Sequence, residues 1–411
     1  MRKQFIMVAV LIAALGCSKK EEKQVAQNVP PATTRATDDD AAVPIGRDDP
    51  AARERERLDE QWRQLESLRD AQAGTPQGPA APAVQVTFAP GGTETLKGLD
   101  ANAINNAPVV VPLKGDVAGP SVVKTQVYLD RAGFSVGALD GRWGRNTAIA
   151  LFWFQRSRGV TATEPGALDE QTFRALAATA GGAPQAIVQR TLTDDDVKGP
   201  FIPIPEDVYD KAKLDCLCYE SLREKLAERF HTTEDFLASL NPDADFAAVK
   251  VGDAVWVPNV REPIAQDRPD IARIVISIRG NTFNAFDAAG NLVFHSPTTL
   301  GSKYDPSPRE TVEVKKVTFD PWFHYQPTLF HEVPDHEPEA NLPPGSNSPV
   351  GVVWVALSKP HFGIHGTSDP ESIGYASSHG CVRLTNWDAR EVGHRVKPGV
   401  VVEFVDTRTQ S

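Results

Sequence analysis

With 411 residues the chain is long enough for two or three domains, and its 54 acidic against 43 basic side chains leave a net charge of -11. That balance excludes a nucleic-acid partner and offers no polybasic patch for an anionic membrane. Four cysteines in such a length make no disulfide framework.

Arg2 and Lys3 precede an apolar run from Phe5 to Leu15. The run is too short to span a bilayer as a mature helix and suits the h-region of a secretory signal. It ends in Ala14-Leu15-Gly16-Cys17, which resembles a bacterial lipobox, with alanine where leucine is usual. The resemblance implies a signal peptide over 1–17, cleavage before Cys17, lipidation of its thiol and a tether to a membrane surface. By the same resemblance, Ser18 in place of aspartate implies sorting to the outer membrane of a Gram-negative cell and a periplasmic location. An ordinary signal peptide or an uncleaved anchor is the alternative.

Residues 18–118 are rich in Ala, Pro, Gly and charge, with Pro30-Pro31-Ala32-Thr33-Thr34 and Pro76-Gln77-Gly78-Pro79 as linker-like pieces. Such a stretch cannot bury a core and is expected to be a flexible tether. A helical island is expected at 50–73, where Leu58, Trp62, Leu65 and Leu68 fall near one face, and it reads as a solvated spacer helix.

A compact helical unit follows over 119–181. Val122, Val123, Val127 and Leu129 supply a first helix that Gly133 ends, Ala148 to Gln155 a second, and Asp169 caps a third. Gly137-Ala138-Leu139-Asp140 is echoed by Gly166-Ala167-Leu168-Asp169. The pattern Asp140-Gly141-Arg142-Trp143-Gly144, Thr147, Phe154-Gln155 and Gly159 resembles the three-helix peptidoglycan-binding domain.

Over 205–260, Ser221 and Glu224 form a capping box for a helix from Leu222 to Phe230. Thr232 or Thr233 opens another through Leu240, and Asn241-Pro242 stops it. Gly252-Asp253-Ala254-Val255-Trp256-Val257-Pro258 then alternates as a strand. With a first strand around Cys216 to Tyr219, this βααβ unit resembles a LysM domain, which implies binding to N-acetylglucosamine-containing glycan. Its alternative is a packing module. Cys216 and Cys218, one residue apart, are read as two buried thiols, with a short-range disulfide or metal ligation as alternatives.

From 268 to 406 the pattern turns to β. Ile274, Ile276 and Ile278 alternate, Asp287 to Gly290 makes a hairpin turn, and Leu292 to Pro297 returns. Further strands are expected in 311–317, 350–357 and 400–405, and a helix from Thr385 or Asn386 past Val392. An insertion over 319–348 reads as a lid. Its His324, His331 and His336 lack a recognised metal spacing and read as exposed loop histidines, so no metal is expected.

The chemistry concentrates in Ile364-His365-Gly366-Thr367 and Ser378-His379-Gly380-Cys381-Val382-Arg383-Leu384. A thiol needs a neighbouring imidazole or cation to act as nucleophile, and His365 and His379 both qualify. Gly380 lets the backbone pass close to a bound carbonyl, where amides near Cys381 could stabilise an oxyanion. These segments, with Leu342-Pro343-Pro344-Gly345 and Ser348-Pro349-Val350-Gly351, resemble the YkuD-type catalytic domain of the L,D-transpeptidases over roughly Ile271 to Asp406. The resemblance implies that Cys381 attacks the meso-diaminopimelate to D-alanine bond of a tetrapeptide stem, with His365 as proton acceptor and donor and the Gly366 carbonyl orienting its ring. It further implies that Ser378, His379 and Gly380 shape the oxyanion region and that Arg383 positions the strand or the stem peptide. No cofactor is needed.

The expected fold is therefore multidomain: a small three-helix peptidoglycan-binding domain, a βααβ LysM-like domain and a mostly antiparallel β-rich catalytic domain. The expected partners are peptidoglycan stem peptides and glycan strands, a wall-attached protein as a second acceptor, and a membrane reached through the lipid. The acyl group passes to an amine, forming a cross-link or attaching protein. The alternatives are transfer to water, as in a carboxypeptidase or a hydrolase releasing wall-attached protein, and a catalytically silent wall-binding scaffold.

Overall fold

The computed structural model describes residues 86–91, 94–98, 100–262 and 268–405. The expected signal peptide, Cys17 and the helical island at 50–73 lie outside them.

The last part of the expected tether is ordered, which corrects that reading. Strands β1 (Phe88–Pro90) and β2 (Val109–Val111) pair in parallel around helix α1 (Ala101–Asn106). Asp100 caps α1 by accepting from the Ala103 amide at 2.7 Å. Ala101, Ile104 and Val109 are buried in the core of the helical unit that follows, so a short apolar run finds a surface that average composition does not reveal.

That unit consists of α2 (Pro120–Arg131), α3 (Arg145–Ser157) and α4 (Glu170–Thr179). The sequence echo has one structural solution used twice. Gln126 Oε1 accepts from the Gly141 amide and its Nε2 donates to the Arg142 carbonyl, while Gln155 does the same for Gly166 and Ala167. Each glutamine is buried under a turn whose glycine has positive φ.

The unit expected to be βααβ over 205–260 has a different first strand, outside those bounds, and four helices between its strands. Strand β3 (Ile187–Thr191) pairs antiparallel with β4 (Ala254–Pro258), Ile187 opposite Pro258. Between them lie α5 (Asp194–Val197), α6 (Val208–Lys211), α7 (Leu222–Arg229) and α8 (Glu234–Leu240). Asn241 joins helix to strand, donating to the Leu237 and Trp256 carbonyls and accepting from the Trp256 amide.

Residues 216–219, expected to be the first strand, instead serve the next domain. The Leu217 amide donates to the Pro344 carbonyl and its carbonyl accepts from the Asn347 amide. Gly345 must be glycine there, because a Cβ would sit 2.0 Å from the Leu217 carbonyl oxygen. Cys216 and Cys218 are joined by a disulfide with Cα atoms 5.2 Å apart, so the reading as two free thiols is corrected.

The catalytic domain carries, among the described residues, an eight-stranded mixed sheet ordered β15-β13-β12-β9-β16-β5-β6-β7. Its strands are β5 (Arg273–Ser277), β6 (Thr282–Phe286), β7 (Leu292–Pro297), β9 (Val312–Phe319), β12 (Val353–Leu357), β13 (Gly363–His365), β15 (Val382–Arg383) and β16 (Val401–Val405). Short strands β8 (Leu300–Gly301) and β14 (Ser377–Ser378) pair in parallel beside it. The pairs β5–β16 and β13–β15 are parallel, and the others in the sheet are antiparallel. Helix α9 (Asn386–Arg395) packs its Ala389 and Val392 into the core on one face.

Both faces of β5 are covered. Ile274 and Ile276 enter the catalytic core, whereas Val275, with Phe286 and Leu292, joins the core of the accessory modules. An unbroken apolar run such as Ile274-Val275-Ile276 is what a strand buried on both sides requires. A buried charged joint reinforces this contact. Arg261 bridges Asp130 of α2 to Asp388 of α9 and lies near Glu391, and Ser135 and Ser296 hydroxyls donate to Asp388 at 2.7 and 2.8 Å. His231, from the turn after α7, pairs with Asp130 at 2.8 Å and stacks on Trp387, centroids 5.1 Å apart. Burial alone would raise the Asp130 carboxyl, but Arg261 and His231 outweigh it and hold the group well below the usual carboxylate range.

Candidate active site

Strands β13 and β15 lie side by side with Ile364 opposite Val382 and His365 opposite Arg383. Ile364 and Val382 enter the core. Alternation therefore sends His365, Arg383 and, one step before the strand, Cys381 to the other face. Strand β12 continues the row: Trp354 pairs with His365 and stacks on its ring, centroids 5.4 Å apart and planes 22° from parallel. Gly363 is glycine because a Cβ would meet the Trp354 indole at 2.6 Å.

Cys381 is the free cysteine among the described residues, and it is partly exposed. Its Sγ lies 3.6 Å from the His361 carbonyl, to which the thiol can donate. Burial by neighbouring atoms pushes the thiol up, partly offset by a backbone hydrogen bond from Gly363 and by Arg383. His365 is buried, and burial with the nearby Arg383 charge depresses it to about 3, against the opposing bond to Gly366. At neutral pH the site rests as thiol and neutral imidazole. His365 Nδ1 donates to the Gly366 carbonyl at 2.7 Å, which leaves Nε2 as the basic nitrogen.

The Gly366 carbonyl is itself held. Asn386, the first residue of α9, accepts on Oδ1 from the Thr367 and Val352 amides at 3.1 and 3.3 Å. Its Nδ2 donates to the Ser346 carbonyl at 3.1 Å and to Glu228 of α7 at 2.7 Å. Any Cβ on Gly366 would lie 2.1 Å from Asn386 Oδ1, so this contact fixes the glycine after the histidine. Burial raises Glu228 to about 7, although bonds from Asn386 and Tyr219 favour its charged form.

The nucleophile loop is tied at two carbonyls. Ser378 Oγ donates to the Cys381 carbonyl at 2.6 Å, and Ser307 Oγ to the Gly380 carbonyl at 2.8 Å. Gly380 has φ +102°, and a Cβ there would meet the Phe362 ring at 2.8 Å. Arg383 exchanges backbone bonds with Thr299 at 2.9 and 3.1 Å, and its buried Nε has no hydrogen-bond partner among the described residues.

His379 goes elsewhere. Its Nε2 meets Glu332 at 2.6 Å and its ring packs edge-on against Phe330, both on the 319–348 insertion. That insertion is a hairpin of β10 (Phe323–Tyr325) and β11 (Ala340–Leu342). The structure thus groups Cys381, His365, Gly366, Ser378, Gly380 and Arg383 and turns His379 toward the lid; Cys17 is outside the described residues. Sequence reasoning missed Trp354, Asn386, Ser307 and Glu228. Asn386 left a signal, since asparagine favours caps over the helical position it takes directly after the nucleophile segment.

The sequence profile of the L,D-transpeptidase catalytic domain matches residues 271–403, and that of a peptidoglycan binding domain matches 118–176. A Bacillus licheniformis protein named as an L,D-transpeptidase, YkuD, is 30% identical over 181 residues, which are 44% of this chain and 92% of that one. The chain belongs to the L,D-transpeptidase family. A Bacillus subtilis relative of the same name is 50% identical over 54 residues, 13% of this chain and 33% of that one. The solved structure of L,D-transpeptidase 3 from Mycobacterium tuberculosis aligns at 18% identity over 38% of this chain and 75% of that one, with TM-score 0.28, too partial a superposition to build on. As an L,D-transpeptidase the protein is a cysteine-dependent acyltransferase, and its peptidoglycan-binding domain matches a cell-wall substrate.

Proposed function

We propose that Cys381 is the nucleophile and His365 the base of a transfer reaction on peptidoglycan stem peptides. The observation that carries this is the row on one sheet face: His365 with its free Nε2, Arg383 opposite it and Cys381 one step away. As Cys381 attacks the carbonyl of the meso-diaminopimelate to D-alanine bond, Nε2 takes the thiol proton. Amides at Gly380 and Cys381 receive the oxyanion, held in place by Ser307 and Ser378. Collapse forms the thioester and breaks the C–N bond, and the imidazolium returns its proton to the departing D-alanine amine. The incoming amine then gives a proton to Nε2 as it attacks the thioester, and the thiol is restored. A neutral resting pair suits this order, because the charge appears only when substrate closes the site. Arg383, whose Nε has no partner among the described residues, holds a carboxylate of the acidic stem peptide.

The acceptor is an amine of a second stem peptide or of a wall-attached protein. Residues 119–181 hold peptidoglycan and the βααβ unit from 187 to 260 acts as a LysM-like glycan-binding module, so that the domain over 268–406 works on strands already bound. A lipid on Cys17 anchors the exported chain to the outer membrane. The test is incubation of the full chain with tetrapeptide muropeptides, read by mass spectrometry. Loss of D-alanine with formation of a dimer, abolished by Cys381→Ala, is the expected result. Product formation by Cys381→Ala overturns the thiol mechanism, and tripeptide without dimer overturns transfer in favour of hydrolysis.

A further inference from the structure

Four side chains outside the reaction row converge beside the nucleophile loop. Asp305 comes from the loop after β8, His331 and Glu332 from the tip of the lid, and His379 from the nucleophile loop. One ligand-type atom of each lies within 4.8 Å of all the others. His331 Nδ1 is 2.7 Å from Asp305 and 3.1 Å from Glu332, and His379 Nε2 is 2.6 Å from Glu332. Among the described residues the ion pairs of both carboxylates are with these histidines, and no lysine or arginine joins them. The imidazoles are oriented by aromatic neighbours: Tyr304 stacks on His331 and Phe330 packs edge-on against His379, each at 4.9 Å.

We propose that Asp305, His331, Glu332 and His379 form a binding site for a zinc-class divalent cation. A tetrahedral zinc ion with bonds near 2.1 Å sets its ligand atoms about 3.4 Å apart, within the spread seen here. Two imidazoles and two carboxylates form a mixed nitrogen and oxygen set that suits zinc, whereas magnesium and calcium prefer oxygen alone. The dication adds positive charge between two carboxylates that the histidines bridge. On binding, each imidazole presents the nitrogen now aimed at a carboxylate and carries its proton on the opposite one. Of the three lid histidines, His331 belongs to this site, whereas His324 pairs with Asn341 and Glu339. A filled site ties the lid tip to the residue two before Cys381, so occupancy sets how readily a stem peptide enters.

The experiment is a titration of the untagged full chain with zinc chloride against a chromophoric chelator, in the Cys381→Ser background so that the reactive thiol cannot serve as ligand. The expected result is one zinc per chain with Kd of about 10 μM or tighter, undisturbed by excess magnesium or calcium. His331→Ala and Asp305→Asn should each weaken it at least ~10-fold, with thermal melts matching the parent because both side chains are partly exposed. Absence of one-to-one binding, or affinity unchanged in both variants, overturns the site. Zinc binding that is found with Cys381 present and vanishes in Cys381→Ser assigns the metal to the thiol and overturns it equally.

Discussion

Two buried polar clusters, both touching α9, are built on opposite principles. At the joint between modules Arg261, Asp130 and Asp388 are charged, and each charge meets its counter-charge or a hydroxyl donor. In the catalytic row the thiol and imidazole are pushed to neutrality, and Arg383 keeps a buried nitrogen without a partner among the described residues. Satisfied charge holds parts together, whereas groups pushed to neutrality and unspent donors mark a place prepared for a ligand. Burial alone does not distinguish the two. What does is whether charged partners outweigh burial, as they do at Asp130 and do not at Cys381 and His365.

The comparison is broken most severely at the joint. Arg261→Ala leaves Asp130 and Asp388 buried without their cation and should cost ~3–5 kcal/mol of stability by chemical denaturation, with kcat preserved in the molecules that remain folded. A smaller effect is expected at Asn386, which belongs to the catalytic row through Gly366 and to the accessory module through Glu228. Asn386→Ala should lower kcat roughly 10- to 100-fold with little change in KM, because a misplaced carbonyl turns the His365 ring. The smallest effect sharpens the comparison by pH. Glu228 has a folded pKa of about 7, above the ordinary carboxyl value, so its contribution is fully present below pH ~4.5 and is lost as pH rises through 7. Glu228→Gln should flatten that slope by on the order of 1 kcal/mol in melts between pH 5 and 8, and an unchanged slope would assign the titration to another group.

Local chemistry made much of this legible in the sequence. The capping residues Ser221, Thr233, Asp169 and Thr385 stand at the helix starts, and the period-two run at Ile274 forms a central strand. Long-range pairing was less visible. Strand β3 joins β4 across more than sixty residues, and nothing local distinguishes Ile187–Thr191 from a loop segment until its partner is known. The disulfide hairpin around Leu217 read as a strand because its residues are apolar, yet its partner is the Pro344 to Asn347 turn of another domain. His379 looked equivalent to His365, and only tertiary packing separates a ring under Trp354 from one turned toward Glu332. Asn386 was overlooked because its four bonds reach into three separate segments.

The apolar core that runs from the helical bundle through the βααβ unit to Val275, Phe286 and Leu292 sets where the protein can be cut. A fragment starting at residue 268 would expose Val275, Phe286 and Leu292, the apolar side chains that its neighbours cover. Such a piece would clump before it catalysed anything, so the smallest well-behaved enzyme is the one that keeps its accessory modules attached.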